Sequence, residues 1–169
     1  MVAAGADTTF HLEVDGLSAS LAVARPEGHE GMSELYRFDL VVTSEDKNIQ
    51  FADVIGKTAC LTLKAHHDES RYVHGVVCRF RQAEEGRKSI VYHLTIVPKL
   101  WRLQHRHDAR IFQEKTVPQI IEDVLDRAGV TDRRLALSGS YGAREYCVQY
   151  RESDFAFISR LMEEEGIFY

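Results

Sequence analysis

Proline and cysteine are both scarce in this chain of 169 residues, three of each, and there is a single tryptophan. Cys60, Cys78 and Cys147 are an odd number, and no export signal accompanies them, which excludes a disulfide framework and fits a reducing compartment. No run of about 18 apolar residues occurs, so no segment has the makings of a transmembrane helix. Met1 to Thr9 lacks the basic and apolar regions of a secretory leader, and the chain is expected to stay where it is made or to leave by another route. Strong charge of either sign is missing too. A net charge of -5 with 28% charged residues describes neither a basic nucleic-acid binder nor an acidic tail. What is present is 44% apolar residues with 9% aromatics, enough for a real core. Residues 1–98 carry 10 Lys+Arg against 14 Asp+Glu (-4), and residues 99–169 carry 11 against 12 (-1).

The first hundred residues have the alternation of strands. Phe10, Leu12 and Val14 alternate with polar neighbours, and Asp15-Gly16 predicts a hairpin turn into Leu17–Arg25. Similar runs at Leu35–Thr43, Thr58–Lys64, Arg71–Gln82 and Lys88–Val97 predict a sandwich or small barrel. After Pro98, Lys99–Gln113 still alternates. Arg102, Arg106, Asp108 and Arg110 share one face, and Trp101, Leu103, His105, His107 and Ile111 the other. Thr116, Pro118 and Gln119 then mark a capped helix over Val117–Ala128, with Gly129 closing it. Short strands are expected at Arg134–Leu137 and Glu145–Tyr150, around a turn-rich Ser138–Gly142. A second helix is capped by Ser153, buries Phe155, Ile158, Leu161 and Met162, and ends at Gly166. Ile167, Phe168 and Tyr169 resemble the opening of an apolar strand without a polar exit, so the chain is expected to be a fragment.

No complete chemical motif emerges. His66, His67 and His74 lie near Cys60 and Cys78 in sequence, but His74 and Cys78, four strand residues apart, are about 13 Å from each other, too far for a common zinc. His105 and His107 stand about 6.6 Å apart on one strand face, a spacing that metal sites use. With Trp101 and Leu103 beside them and no third ligand, they read as partly buried histidines bonded to neighbours. Ser138–Gly142 departs from G-x-S-x-G at its first glycine and no helix follows it, so it reads as a hairpin loop, and Cys147 has no assigned base. His29-Glu30 lacks the second histidine of H-E-x-x-H, since Ser33 stands there. Phosphate-binding glycine motifs are absent. Lys99, Arg102, Arg106 and Arg110 form a basic stripe too small for nucleic acid, and a pairing with acidic groups of this protein or of a neighbouring subunit, for example near Glu163-Glu164-Glu165, is expected.

Two stretches have a more particular texture: Arg110-Ile111-Phe112-Gln113-Glu114-Lys115-Thr116-Val117-Pro118-Gln119-Ile120-Ile121, and Gln149-Tyr150-Arg151-Glu152-Ser153-Asp154-Phe155 through Glu165-Gly166-Ile167-Phe168-Tyr169. Together with Leu100-Trp101-Arg102-Leu103 they resemble the VgrG family, the trimeric spike proteins of bacterial type VI secretion, related to the hub of contractile phage tails. The resemblance extends over residues 34–169 and is weaker over the first thirty. His105-Arg106-His107 departs from it, so any local role there is private to this chain. The resemblance implies a mainly β (α+β) fold: a β-barrel-like hub subdomain over 1–98, then an α+β phage-baseplate-hub-like subdomain over 99–169, incomplete at its end. It implies a structural spike component, a homotrimer in the full-length protein that sits on the Hcp tube, with baseplate proteins, a PAAR-type tip protein and effectors as further partners. It also implies assembly in the cytoplasm and export by the machine. A contractile phage-tail hub is the neighbouring alternative, and a hydrolase with Ser140 or Cys147 as nucleophile the alternative of another class. No catalytic, metal-binding or cofactor-binding residue is expected, and no nucleic-acid partner. Without the needle of the full-length protein, the fragment is expected to be monomeric or weakly associating.

Overall fold

The computed structural model describes residues 9–64, 70–86 and 88–169, with the backbone alone at Glu84 and Glu85. Alternation sets the first six strands: β1 (Thr9–Val14), β2 (Ala22–His29), β3 (Arg37–Ser44), β4 (Thr58–Lys64), β5 (Ser70–Glu85) and β6 (Ile90–Val97). In β3, Phe38, Leu40, Val42 and Ser44 are buried while the residues between them are partly or fully exposed, the signature of a half-buried strand. The six form one antiparallel sheet in the order β1-β4-β5-β6-β3-β2. Its two edge strands, β1 and β2, approach each other, so the sheet curls around its inner face. That face holds a core including Leu40, Leu61, Tyr92, Leu94 and Ile96, with the Phe80 and Tyr92 rings stacked 4.7 Å apart.

The hairpin expected at Asp15-Gly16 does not form. Gly16 does turn the chain, with φ of 74°, but β1 pairs with β4 and β2 with β3. Apolar register decides this: β1 places Leu12 opposite Leu61 and Val14 opposite Ala59, all buried. β2 offers little to bury. It contains Pro26, Gly28 and a register shift between Val23 and Arg25, features that suit an edge.

The long β5 bends through irregularities between Val77 and Arg79 and between Gln82 and Glu84. The first places Cys78 at a bulge and reverses the facing of the residues beyond it. Tyr72 and His74 therefore point outward while Phe80 is buried, although simple alternation puts all three on one face. Gly75 lies against β6 so closely that an added Cβ would come within 2.4 Å of the Val97 carbonyl oxygen. Only glycine fits there without moving backbone.

The chain divides into two compact units, one from Met1–Gly31 with Leu35–Pro98 and the other from Met32–Glu34 with Lys99–Tyr169. The second opens with a 3-10 helix, Lys99–His105, where alternation predicts a strand. On so short a segment an apolar spacing of two and one of three are hard to separate, and burying Leu103 completely is what the fold uses. β7 (His107–Phe112) and β8 (Cys147–Ser153) form a two-stranded antiparallel ribbon. Between them α1 (Val117–Arg127) has the expected capping box: the Gln119 amide donates to Thr116 Oγ1 at 3.4 Å, and the Thr116 amide donates to Gln119 Oε1 at 2.9 Å. Arg134–Leu137 is irregular rather than a strand, and Ser138–Gly142 is an exposed loop, not a hairpin turn.

α2 (Asp154–Glu164) starts at Ser153, whose hydroxyl accepts from the Ala156 amide at 3.1 Å. Its buried face is Asp154, Phe157, Ile158, Leu161 and Met162, so Phe157 replaces the expected Phe155 in the stripe. Phe157 stacks on Phe112 at 5.5 Å and joins Ile120, Val124 and Leu161 in the second core. Ile167–Tyr169 is not a strand. The Ile167 amide bonds the Met162 carbonyl at 2.8 Å, and the Tyr169 carbonyl accepts from the Ser33 amide at 2.8 Å.

Candidate functional site

The most concentrated polar chemistry in the second unit surrounds Asp154, an acid only 1% exposed at the first position of α2. Arg110 reaches it from β7 through Nη2, and Arg106 reaches it from just before β7 with Nε at 3.1 Å. Gln149 on β8, fully buried, completes the cluster. Its Oε1 accepts from Arg110 Nε at 2.9 Å and Nη2 at 2.6 Å, while its Nε2 donates to Asp154 Oδ1 at 2.9 Å and to the Glu152 carbonyl at 3.2 Å. The Asp154 amide also donates to the Arg106 carbonyl at 2.7 Å. Among the described residues, no buried side-chain nitrogen or oxygen of this cluster lacks a partner, as a buried ion pair requires. The helix N-terminus adds favourable field for the carboxylate. The cluster locks α2 onto the β7–β8 ribbon.

This lock accounts for the two textured stretches in physical terms. In Gln149–Phe155, Gln149 and Asp154 belong to the lock, Ser153 caps α2, and Glu152 pairs with Arg160 at 2.8 Å. Arg151, between them, adopts φ of 52° and is the extra residue where the β7–β8 register shifts between Asp108 and Ala109. In the other stretch, Arg110 and Phe112 face inward and Thr116 caps α1. The basic stripe does pair with acids of this chain, but Lys99, Arg106 and Arg110 take partners other than Glu163-Glu164-Glu165. Arg106 and Arg110 bind Asp154, and Lys99 binds Asp132. The glutamates at the end of α2 are answered by other residues: Arg144 reaches Glu164 at 2.7 Å and Glu165 at 2.8 Å. These two bonds push the Arg144 guanidinium further above its already high range. Sequence reasoning missed Asp154 and Gln149 because it assigned only apolar residues to buried faces. Counting back by four and three from Ile158 and Phe157 would have placed Asp154 inward, level with two arginines.

The side chains singled out as chemistry do not assemble. His105 ends the 3-10 helix, 4.4 Å from the Trp101 ring, and His107 begins β7, so the two do not share a strand face. His66 and His67 lie outside the described residues. Cys60 and His74 are opposite each other on β4 and β5, with Sγ and Nε2 3.9 Å apart, while Cys78 sits apart at its bulge with its thiol pushed up by burial. Among the described residues, no group of three or more His, Cys, Asp or Glu side chains is placed to hold a metal ion. Ser140 is exposed on its loop. Cys147 is packed in the second core, 6% exposed. Glu30 of the His29-Glu30 pair binds Arg71.

A scan against family models matches residues 29–169 to the phage tail baseplate hub (GPD) family. This chain belongs to that family. It shares 41% identity over 149 residues with the type VI secretion system spike protein VgrG1b of Pseudomonas aeruginosa, covering 88% of this chain and 20% of that protein. The actin cross-linking toxin VgrG1 of Vibrio cholerae is 37% identical over 174 residues, covering 97% of this chain and 16% of its own length. The chain thus spans about a fifth or less of the curated relatives it matches. Among solved structures, an E. coli component of the type VI secretion system, described as similar to the T4 bacteriophage tail proteins gp27 and gp5, superposes with a TM-score of 0.82 at 32% identity, over 90% of this chain and 42% of the other. A prophage tail protein from Shewanella oneidensis shares the fold at 16% identity, with a TM-score of 0.64. The VgrG resemblance of the motifs and the mainly β hub fold are both borne out.

Proposed function

We propose that this chain is the hub portion of a type VI secretion spike, with a structural duty: to hold a defined shape within a larger assembly under mechanical load. The observation that carries this reading is the hub match across residues 29–169, together with textured motifs that resolve into a packing lock and two helix caps instead of a reacting centre. A buried, fully bonded ion cluster suits such a part because it opposes sliding of α2 along the ribbon through several directional bonds at once. In the full-length protein we expect three copies to associate, seated on the Hcp tube, with baseplate and PAAR-type proteins as neighbours and effectors as cargo. Assembly in the cytoplasm precedes export by the machine. Any enzymatic activity of a full-length relative, such as the one named an actin cross-linking toxin, would reside outside the portion matched here. The residues of this chain carry no catalytic, metal-binding or cofactor role in this reading.

The test is genetic. A strain lacking the gene should stop releasing Hcp into the medium, and the full-length wild-type gene should restore release. A full-length variant with both Ser140→Ala and Cys147→Ala should restore it equally. Normal Hcp release without the gene would overturn the spike reading, and loss of a measured hydrolase turnover in the double variant would overturn the structural one.

A further inference from the structure

The outer face of the six-stranded sheet carries a cation cluster that the lock and the spike reading leave unused. Two ladder rows cross four adjacent strands there. One runs Arg25, Val41, His93, Arg81, and the other Glu27, Asp39, Thr95, Arg79. These residues line a groove of about 680 Å³. Asp39 is already engaged: it takes Arg37 Nε at 2.7 Å and Nη2 at 2.9 Å, and Thr95 Oγ1 donates to it at 2.6 Å. Arg25, Arg79 and Arg81 have no ion pair among the described residues. They stand on the more acidic part of an acidic chain, where scattered charge would favour contacts with carboxylates of the same surface.

We propose that this groove docks an extended, carboxylate-rich segment of a partner protein. Arg79 and Arg81 alternate on β5 about 6.6 Å apart, which is also the spacing of alternate side chains along an extended strand. A segment with Asp or Glu at every second position can therefore meet both arginines in charge-assisted pairs. Arg25, three strands away, closes the opposite side at about 14 Å, wide enough for one extended chain laid on the face. Val41 and Thr95 supply a floor, and Glu27 lies at the β2 end of its row, away from Arg79 and Arg81. Glu27 disfavours a nucleic-acid backbone, which presents phosphates without interruption. The neighbouring edge is a poor alternative, since Pro26 and the β2 irregularity oppose strand addition.

Fluorescence anisotropy on the 169-residue chain tests this with a short labelled peptide of alternating glutamate and threonine, beside its glutamine counterpart. The glutamate peptide should bind at low ionic strength, weaken as salt rises, and exceed the glutamine peptide. R79Q/R81Q should lose about tenfold or more in affinity, R25Q less, and the exposed control R134Q nothing. Circular dichroism confirms folding of each variant, and R25Q keeps the test decisive if the double variant is unstable. Equal binding of both peptides, or unchanged binding by R79Q/R81Q and R25Q, overturns the proposal. Tighter binding of a short RNA oligonucleotide with the same arginine dependence would assign the face to nucleic acid. Self-association abolished by R79Q/R81Q would assign it to a second copy. Either result overturns it as well.

Discussion

Replacing Asp154 by alanine should uncouple α2 from the β7–β8 ribbon at a large and localised cost. The carboxylate accepts from Arg106, Arg110 and Gln149, and its loss leaves the Arg110 guanidinium, with a side chain only 9% exposed, with only the half-exposed Asp108 at 3.3 Å as counter-charge. Breaking one side of a buried pair costs about 3–5 kcal/mol. With a urea slope of about 2 kcal/mol per molar, the unfolding midpoint falls by about 2 M. Asp154→Asn keeps the shape and one acceptor, so about 1–3 kcal/mol is expected. Trp101, the single tryptophan, lies in the second unit with both α-helices, so its fluorescence follows that unit, while amide hydrogen exchange in β1–β6 follows the sheet. The fluorescence midpoint of Asp154→Ala should drop well ahead of the sheet signal. Asp132→Ala, which removes the exposed partner of Lys99, serves as the control and should leave it in place. If Asp154→Ala shifts the fluorescence no further than Asp132→Ala, the lock is not what holds α2.

Other consequences separate the two units. Gly75→Ala drives a methyl into the Val97 carbonyl and should destabilise the sheet by about 1–3 kcal/mol, seen as faster amide hydrogen exchange in β5 and β6 with the Trp101 transition unchanged. Thr116→Ala removes the α1 cap and should cost about 1 kcal/mol in the Trp101 transition, with Thr116→Ser recovering most of it. The Arg37 guanidinium holds the Asp39 carboxyl below its usual range, so the stabilisation from this pair is present above the ordinary value near 3.8 and is lost as the pH falls through the lower native value. Because Asp39 and Arg37 are about half exposed, the effect is about 0.2–1 kcal/mol. The stability difference between wild type and Asp39→Asn should shrink in denaturant titrations below about pH 4 and stay level above pH 5.

Local grammar was legible where neighbouring residues determine structure. β4 spans Thr58–Lys64 as its alternation predicts, and Thr116, Pro118 and Gln119 place the start of α1. Pairing was less legible, because β1 had to choose between a near partner with few apolar residues and a distant one with Leu61 and Ala59 in register. The bulge at Cys78 was hidden for a related reason: alternation carries no mark of the residue that interrupts it. The lock was the least visible feature. A carboxylate on the inward face of a helix makes sense only once Arg106, Arg110 and Gln149, from 48, 44 and 5 residues away in sequence, converge on it. The family texture recorded that convergence without explaining it.

The central claim is that this chain contributes to a hub by packing and assembly. Mass photometry of the full-length protein, mixed with the Hcp tube protein, tests it most directly. The account predicts a three-copy particle that gains the mass of an Hcp ring. A monomer that ignores Hcp at every concentration would contradict it.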